Sequence, residues 1–214
     1  WHGGLIENEV VDALPVRTFA LRDEGLFARA VGLGDDGCFV WREIPADAAL
    51  RADVARVVAD ASALPRPFVS EICPMLAPWF AGVVRNLKSG AAWFIDYGYA
   101  REDYYSPHRG SGTLRCHWRH RAHDDPLVLP GLQDITAHVD FDALIEAGVA
   151  AGFEAAAVES QAQFLIRHGL DEVFADAYVA AADEAARYAL AQQVKRLTLP
   201  GQMGEAFRVV RMEM

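Results

Sequence analysis

Cysteine is scarce in this chain. The three cysteines among 214 residues, Cys38, Cys73 and Cys116, are odd in number and far apart, which excludes a disulfide framework and a thiolate zinc site and points to a reducing cytoplasm. Basic residues are also in deficit, 20 against 30 acidic ones, for a formal charge of −10 and a pI near 5.1. Such a surface does not condense on phosphate backbones or anionic membranes, and it favours a cationic partner. No apolar run approaches the roughly 20 residues that span a bilayer, and the first residues lack the basic-then-apolar order of a secretory signal. Internal repeats and low-complexity tracts are missing as well. What the chain does have is 52% apolar residues, enough for a sizeable core in one large domain or in a core with an appended part. It begins at Trp1 and enters an apparent strand almost at once, as a fragment or processed product of a longer protein would.

The apolar pattern predicts an α/β fold. Gly4 to Val11 reads as a buried strand broken by Leu14-Pro15. Short strand candidates at 17–21, 26–31 and 38–41, separated by Asp23-Glu24-Gly25 and Gly34-Asp35-Asp36-Gly37, read as an antiparallel insertion over residues 16–45. Asp47 to Ala63 has a helical pattern, closed by Pro65-Arg66-Pro67. A stripe of Met75, Leu76, Trp79, Phe80, Val83 and Val84 predicts a helix that feeds a strand from Ala91 to Tyr97. Residues 99–140 show little periodicity and read as a long functional loop. A helix from Phe141 stops at Gly152, a strand covers 155–158, helices fill a segment over 162–200, and a closing strand ends near Met212.

Two strands run into acidic and amide side chains: Asn8-Glu9-Val10-Val11-Asp12 and Phe94-Ile95-Asp96-Tyr97. Open α/β sheets place their sites at such carboxyl ends. Asp96 and Tyr97 are read either as substrate contacts or as a capping carboxylate and an edge-packed ring. Asp134, Thr136 and His138 alternate, so they share a face if extended and can shape a substrate site; alternatively Asp134 or Asp140 caps the helix at Phe141. Gln161 is read as a substrate contact or as a buried amide satisfying backbone. His117, His120 and His123 recur every third residue beside Asp124 and Asp125, a set that resembles metal ligands. Arg115, Arg119 and Arg121 interleave and oppose a cation, so the segment reads as a basic loop contacting protein or substrate, with no metal. Ser111 lacks a strand-to-helix elbow, and Cys73 has no evident base.

Several of these pieces stand in an order typical of one family: Asn8-Glu9-Val10-Val11-Asp12-Ala13-Leu14-Pro15, Phe94-Ile95-Asp96-Tyr97-Gly98, Gly112-Thr113-Leu114, Pro130-Gly131, Asp134 to Phe141, Ser160-Gln161 and Met203-Gly204-Glu205. The chain resembles the MidA-type S-adenosyl-L-methionine-dependent methyltransferases, which include the mitochondrial complex I assembly arginine methyltransferase. The resemblance runs from about Leu5 to Val210. It implies a class I, Rossmann-like sheet of which this chain is the C-terminal part, with Leu5 to Val11 as fourth strand, Ala91 to Tyr97 as fifth, Ala155 to Ser160 as sixth and Phe207 to Met212 as an antiparallel seventh. The glycine-rich turn of the cofactor-binding half has no counterpart here, since Gly32-Leu33-Gly34 and Gly110-Ser111-Gly112 do not sit between a strand and a helix.

The implied activity is methylation of a protein arginine, with a respiratory complex I subunit as the implied partner. Glu9 and Asp12 are the expected catalytic carboxylates, because a carboxylate matches a guanidinium and can take up the proton lost on methylation. Asn8 is the expected cofactor-binding amide, while Asp96, Tyr97, Asp134, Thr136, His138 and Gln161 are expected to bind substrate. A piece of this kind would self-associate or pair with the missing N-terminal part along an open sheet edge. The competing reading is an inactive protein-interaction module on the same fold.

Overall fold

Apolar runs that end in polar residues set the strands, and glycine, proline and capping side chains set their limits. The computed structural model describes residues 1–119 and 121–214. In chain order, the first half carries β1 (His2–Asn8), β2 (Arg17–Arg22), β3 (Gly25–Leu33), β4 (Phe39–Pro45), α1 (Ala48–Val57), β5 (Phe68–Ile72), α2 (Leu76–Val84) and β6 (Ser89–Tyr99). Next come α3 (Arg101–Tyr104), β7 (Arg115–Trp118), β8 (Arg121–His123), β9 (Asp134–Thr136), β10 (Val139–Asp140) and α4 (Phe141–Ala150). The chain closes with β11 (Glu154–Ser160), α5 (Gln161–Arg167), α6 (Leu170–Ala180), α7 (Glu184–Thr198), α8 (Met203–Ala206) and β12 (Phe207–Glu213). Two compact units result: Trp1–Glu9 with Val84–Gly98 and Gly148–Met214, and Val10–Val83 with Tyr99–Ala147.

In the first unit the strand order is β1-β6-β12-β11. β1 runs parallel to β6, from His2 opposite Ser89 to Asn8 opposite Ile95. β12 lies between β6 and β11 and is antiparallel to both. Along β6, Ala92, Phe94 and Asp96 alternate into the interior, the period-2 pattern of a pleated strand. β1 differs from the buried strand expected over Gly4 to Val11. It stops at Asn8 because Glu9 takes a left-handed φ of 53°, and Leu14 N–H then closes a turn onto Val11 O at 3.2 Å. Its side chains are mostly exposed, Ile6 at 72%, since it ends the strand order.

Helices α5 to α8 follow from local chemistry. The Ser160 hydroxyl accepts from Gln163 N–H at 3.2 Å while the Gln163 side chain accepts from Ser160 N–H at 3.1 Å, a reciprocal cap that starts α5 immediately after β11. Asp183 caps α7 by accepting from Ala186 N–H at 2.8 Å. Gly204 has a packing reason, because a Cβ there would lie 2.3 Å from the Thr198 carbonyl at the end of α7.

In the second unit β4-β3-β2-β5 form an antiparallel sheet, so the antiparallel segment read at 16–45 gains a fourth strand that the sequence pattern did not reveal. Phe19 and Phe68 face each other across β2 and β5 with ring centroids 6.3 Å apart, and Leu50, Val54 and Val57 of α1 are buried in the same cluster. The helical pattern at 47–63 divides into α1, capped by Asp47 accepting from Leu50 N–H at 2.7 Å, and a short turn of 3-10 helix at Ala61–Ala63. Residues 99–140, expected as a loop, contain α3 and a small antiparallel sheet of order β8-β7-β9. Strands of three or four residues are too short to display a period.

Asp140 caps α4, accepting from Ala143 N–H at 3.0 Å, so of the two capping candidates the structure uses this one. Its second oxygen accepts from Arg101 Nε at 3.2 Å, and the Arg101 fork donates to both Glu146 oxygens at 2.5 and 2.9 Å. Hydrogen bonding from Arg101 holds Glu146 below its ordinary pKa, while burial raises that of Asp140. Removing the fork strands a mostly buried carboxylate. Arg101→Met should therefore lower stability by about 2–3 kcal/mol in urea denaturation; a loss below about 0.5 kcal/mol would reduce the network to an ordinary surface pair.

Candidate functional site

The first unit brings four of the expected site residues to one end of its sheet. Because β1 and β6 are parallel and in register, Asn8 and Glu9 end beside Ile95, Asp96 and Tyr97. Glu9 N–H donates to Ile95 O at 3.0 Å, and Asn8 Nδ2 donates to Glu9 Oε1 at 3.2 Å. Asn8 and Glu9 are both exposed. Asp96 is 1% exposed, accepts from Tyr97 N–H at 2.8 Å and stands opposite Arg208 in the sheet. Tyr97 meets Phe207 edge-on with centroids 5.5 Å apart. Gln161, also in this unit, is buried and donates its amide to Leu197 O at 3.0 Å.

A left-handed φ at a glutamate is uncommon and costs on the order of 1 kcal/mol. Here it turns the chain sharply at the strand end and leaves a carboxylate exposed beside an amide. Among the described residues no Gly-x-Gly turn joins a strand to a helix: Gly32 and Gly34 belong to the β3–β4 hairpin, and Gly110 and Gly112 precede β7.

The remaining expected residues lie in the second unit. Asp12 is 5% exposed, and its carbonyl accepts from Ala137 N–H at 2.9 Å. Asp134 and Thr136 lie on β9, opposite His117 and Arg115 of β7. His138 stacks on Tyr99 with centroids 5.1 Å apart and planes at 7°, and Arg109 covers the Tyr99 ring at 3.4 Å. Burial pushes the His138 imidazole below its ordinary pKa, with Asp12 pulling the other way.

His138 leads to residues that the sequence reading passed over. Its N–H donates to Thr113 Oγ1 at 3.1 Å; Thr113 in turn donates through N–H and Oγ1 to Glu71 Oε2, at 2.9 and 3.1 Å. Tyr104 OH is 3.0 Å from the same hydroxyl. A hydroxyl has one proton and two lone pairs; with its proton on Glu71, Thr113 accepts from His138 and Tyr104. Glu71 is 1% exposed, and burial raises its pKa. Gly112, at φ +80°, is required beside it, since a Cβ would come within 2.2 Å of Glu71 Oε1. A cavity of about 440 Å³ opens here, with Arg29, Trp41, Glu71, Tyr99, Thr113 and His138 on its walls. The signal for Glu71 was a lone charge inside an otherwise apolar stretch after Pro67.

The histidine series does not converge. His123 pairs with Cys116 and His117 with Ala122, so the two rings leave opposite faces of the hairpin; His120 lies outside the described residues. No group of three or more His, Cys, Asp or Glu side chains among the described residues could hold a metal ion. No described helix is long and apolar enough to cross a membrane.

Residues 2–158 match the model of a family described as "Putative S-adenosyl-L-methionine-dependent methyltransferase". The chain belongs to this family. Two crystal structures from Burkholderia thailandensis resemble this methyltransferase-family chain over all of its length, each with 40% identity and a TM-score of 0.90. One is a native structure of an uncharacterized protein, and the other is of a superfamily member and "likely methyl transferase" bound to S-adenosyl-homocysteine. The chain spans 56% and 54% of their lengths. No curated protein matches it.

Glu71 makes the stability of this methyltransferase-family chain depend on pH. Its folded pKa lies above the ordinary glutamate value of 4.5, so its contribution is fully present below that value and is lost as pH rises through the folded pKa. Gln cannot titrate and still offers an oxygen to Thr113. The stability of wild type relative to Glu71→Gln should therefore fall in urea denaturation as pH rises above the ordinary glutamate value, and a pH-independent difference would refute the account.

Proposed function

We propose that this chain is the C-terminal, acceptor-side part of a MidA-type class I methyltransferase that uses S-adenosyl-L-methionine to methylate an arginine side chain of a protein. The observation that carries the reading is the shared end of the parallel strands β1 and β6, where Asn8 and the left-handed Glu9 stand together in front of Ile95. The strand order supports the class I assignment: a β12 antiparallel to its neighbours and lying between β6 and β11 is the arrangement implied for a seventh strand between the fifth and the sixth. The segments at 16–45, 99–140 and 162–200 are then additions to that sheet. The free edge of β1, with Ile6 exposed, offers unpaired backbone groups to the earlier strands of the parent or to a second copy.

The residues at the end of β1 fit one side of the cofactor. Asn8 presents an exposed amide with donors and an acceptor, suited to hydroxyl and amino groups, and Glu9 presents an exposed carboxylate suited to a cation. When bound, S-adenosyl-L-methionine supplies a methyl group on a sulfonium, a good leaving group for in-line displacement. Glu9 would hold the acceptor guanidinium in plane and take up the proton that its nitrogen loses on accepting the methyl group, the thioether being the group left behind. Such alignment supplies up to roughly 7–11 kcal/mol of the barrier. Asp12, in the second unit, is assigned acid–base chemistry of the same kind, and Asp96, Tyr97 and Gln161 of the first unit and Asp134, Thr136 and His138 of the second are each assigned to substrate binding. The net charge of −10 favours a basic segment of a partner protein, with a respiratory complex I subunit as the candidate acceptor and the cytoplasm as the setting.

In the intact parent protein, Glu9→Gln and Asp12→Asn should each cut methyl transfer by about 100-fold or more, the scale of a lost acid–base group, with cofactor affinity nearly intact. Calorimetric cofactor binding beside a radiolabelled methyl-transfer assay tests this, and unchanged turnover in both variants would refute the assignment.

A further inference from the structure

Among the described residues Arg29 makes no ion pair, and Glu43 and Glu71 act on it only through space. It stands opposite Glu43 in the β3–β4 register, the position from which a cross-strand carboxylate would normally neutralise it. Glu43 is already taken, because Arg22 grips both of its oxygens, one of them through Nε at 2.9 Å. Arg29 is left stacked on Trp41, its Cζ 4.3 Å from the ring centre, with its Nε buried and without any hydrogen-bond partner. An arginine held in part-buried surroundings with an orphaned donor is costly, and an acceptor paired with the rest of its guanidinium offsets part of that cost.

This guanidinium lines the cavity of about 440 Å³ described above, a volume within the range of small-ligand sites. The other charges on the walls hydrogen-bond or pair elsewhere, and Glu71 acts on Arg29 only through space. Glu71 turns Oε2 to Thr113, Arg115 is ion-paired with Asp124, and His138 is pushed toward its neutral form by burial. Trp41 holds the plane of the fork, while the Tyr99 ring is already covered by His138 and Arg109, so a planar anion meets the fork edge-on beside Trp41.

We propose that the Arg29–Trp41 cavity is a binding site for a carboxylate, carried either by an acidic side chain of a bound polypeptide or by a free small acid. Arg29 receives the carboxylate as a hydrogen-bonded ion pair, and Trp41 fixes the plane of the fork. The site uses none of the residues assigned to methyl transfer except His138, which contributes only a wall.

The test is a titration of the 214-residue chain by ¹H–¹⁵N NMR of the Arg29 Nε–H group, which needs neither cofactor nor turnover and so stands or falls separately from the methyltransferase assay. The probes are glutarate and the capped peptide acetyl-Ala-Glu-Ala-amide, each against its amide counterpart, glutaramide and acetyl-Ala-Gln-Ala-amide. A saturable shift below about 10 mM with the acids and not the amides is expected. A response to the peptide alone assigns the carboxylate to a polypeptide side chain, and one to glutarate alone assigns it to a free acid. Followed through the Trp41 indole N–H, which both variants keep, Arg29→Gln should weaken binding at least tenfold, with Arg29→Lys, which keeps the charge and loses the fork, falling between. No saturable shift with either acid, amides that bind as well as acids, or undiminished binding by a folded Arg29→Gln chain would each overturn the proposal.

Discussion

A buried carboxylate has to be hydrogen-bonded, and much of the second unit is arranged around meeting that need for Glu71. The residue sits in β5, at the end of the sheet order β4-β3-β2-β5, with its oxygen held by Thr113 of a segment more than forty positions on. Thr113 then fixes the backbone of His138 and meets the phenol of Tyr104. One hydroxyl thus joins a strand, a helix end and the approach to α4, and each of its hydrogen-bonding positions is used. Such networks are worth most when fully satisfied, since any missing member leaves a desolvated polar group. The glycine at 112 belongs to the same constraint: the carboxylate and the chain carrying Thr113 approach too closely for any side chain there.

Much of the first unit was legible in the sequence because its strands are long and their inward positions apolar. β6, β11 and β12 appear near their expected places, and the adjacency of Asn8 and Glu9 to Asp96 and Tyr97 follows once β1 and β6 are taken as parallel neighbours. What was not legible has identifiable causes. The expected strand runs three residues past the end of β1 at Asn8 because Val10 and Val11 are strong strand formers, while the left-handed backbone of Glu9 is invisible in a sequence. β5 was passed over because Glu71 interrupts an apolar run that only a tertiary partner can justify.

The second unit was harder still because its chemistry is relational. Arg29 looks like any surface arginine of a hairpin until the register shows that its cross-strand acid is committed to Arg22. Likewise Thr113 reads as part of a turn until it is seen to be the donor for a carboxylate far away in the chain. The histidines at 117 and 123 illustrate the converse: a spacing that looks like a ligand set is divided between two faces by the pleat. Periodicity reports which side chains are buried, whereas sites of this kind depend on which buried or half-buried groups have already been claimed by others.

The turn at Glu9 carries a further consequence. A glycine or asparagine would adopt its left-handed backbone at less cost, and glycine would do so with no Cβ to strain it. A chain selected for rigidity and folding yield alone would tend to lose the glutamate. That position is therefore one where thermal robustness and the presence of a carboxylate pull apart, and a thermostability screen that rewards its replacement would be selecting against an exposed acid at the joint end of β1 and β6.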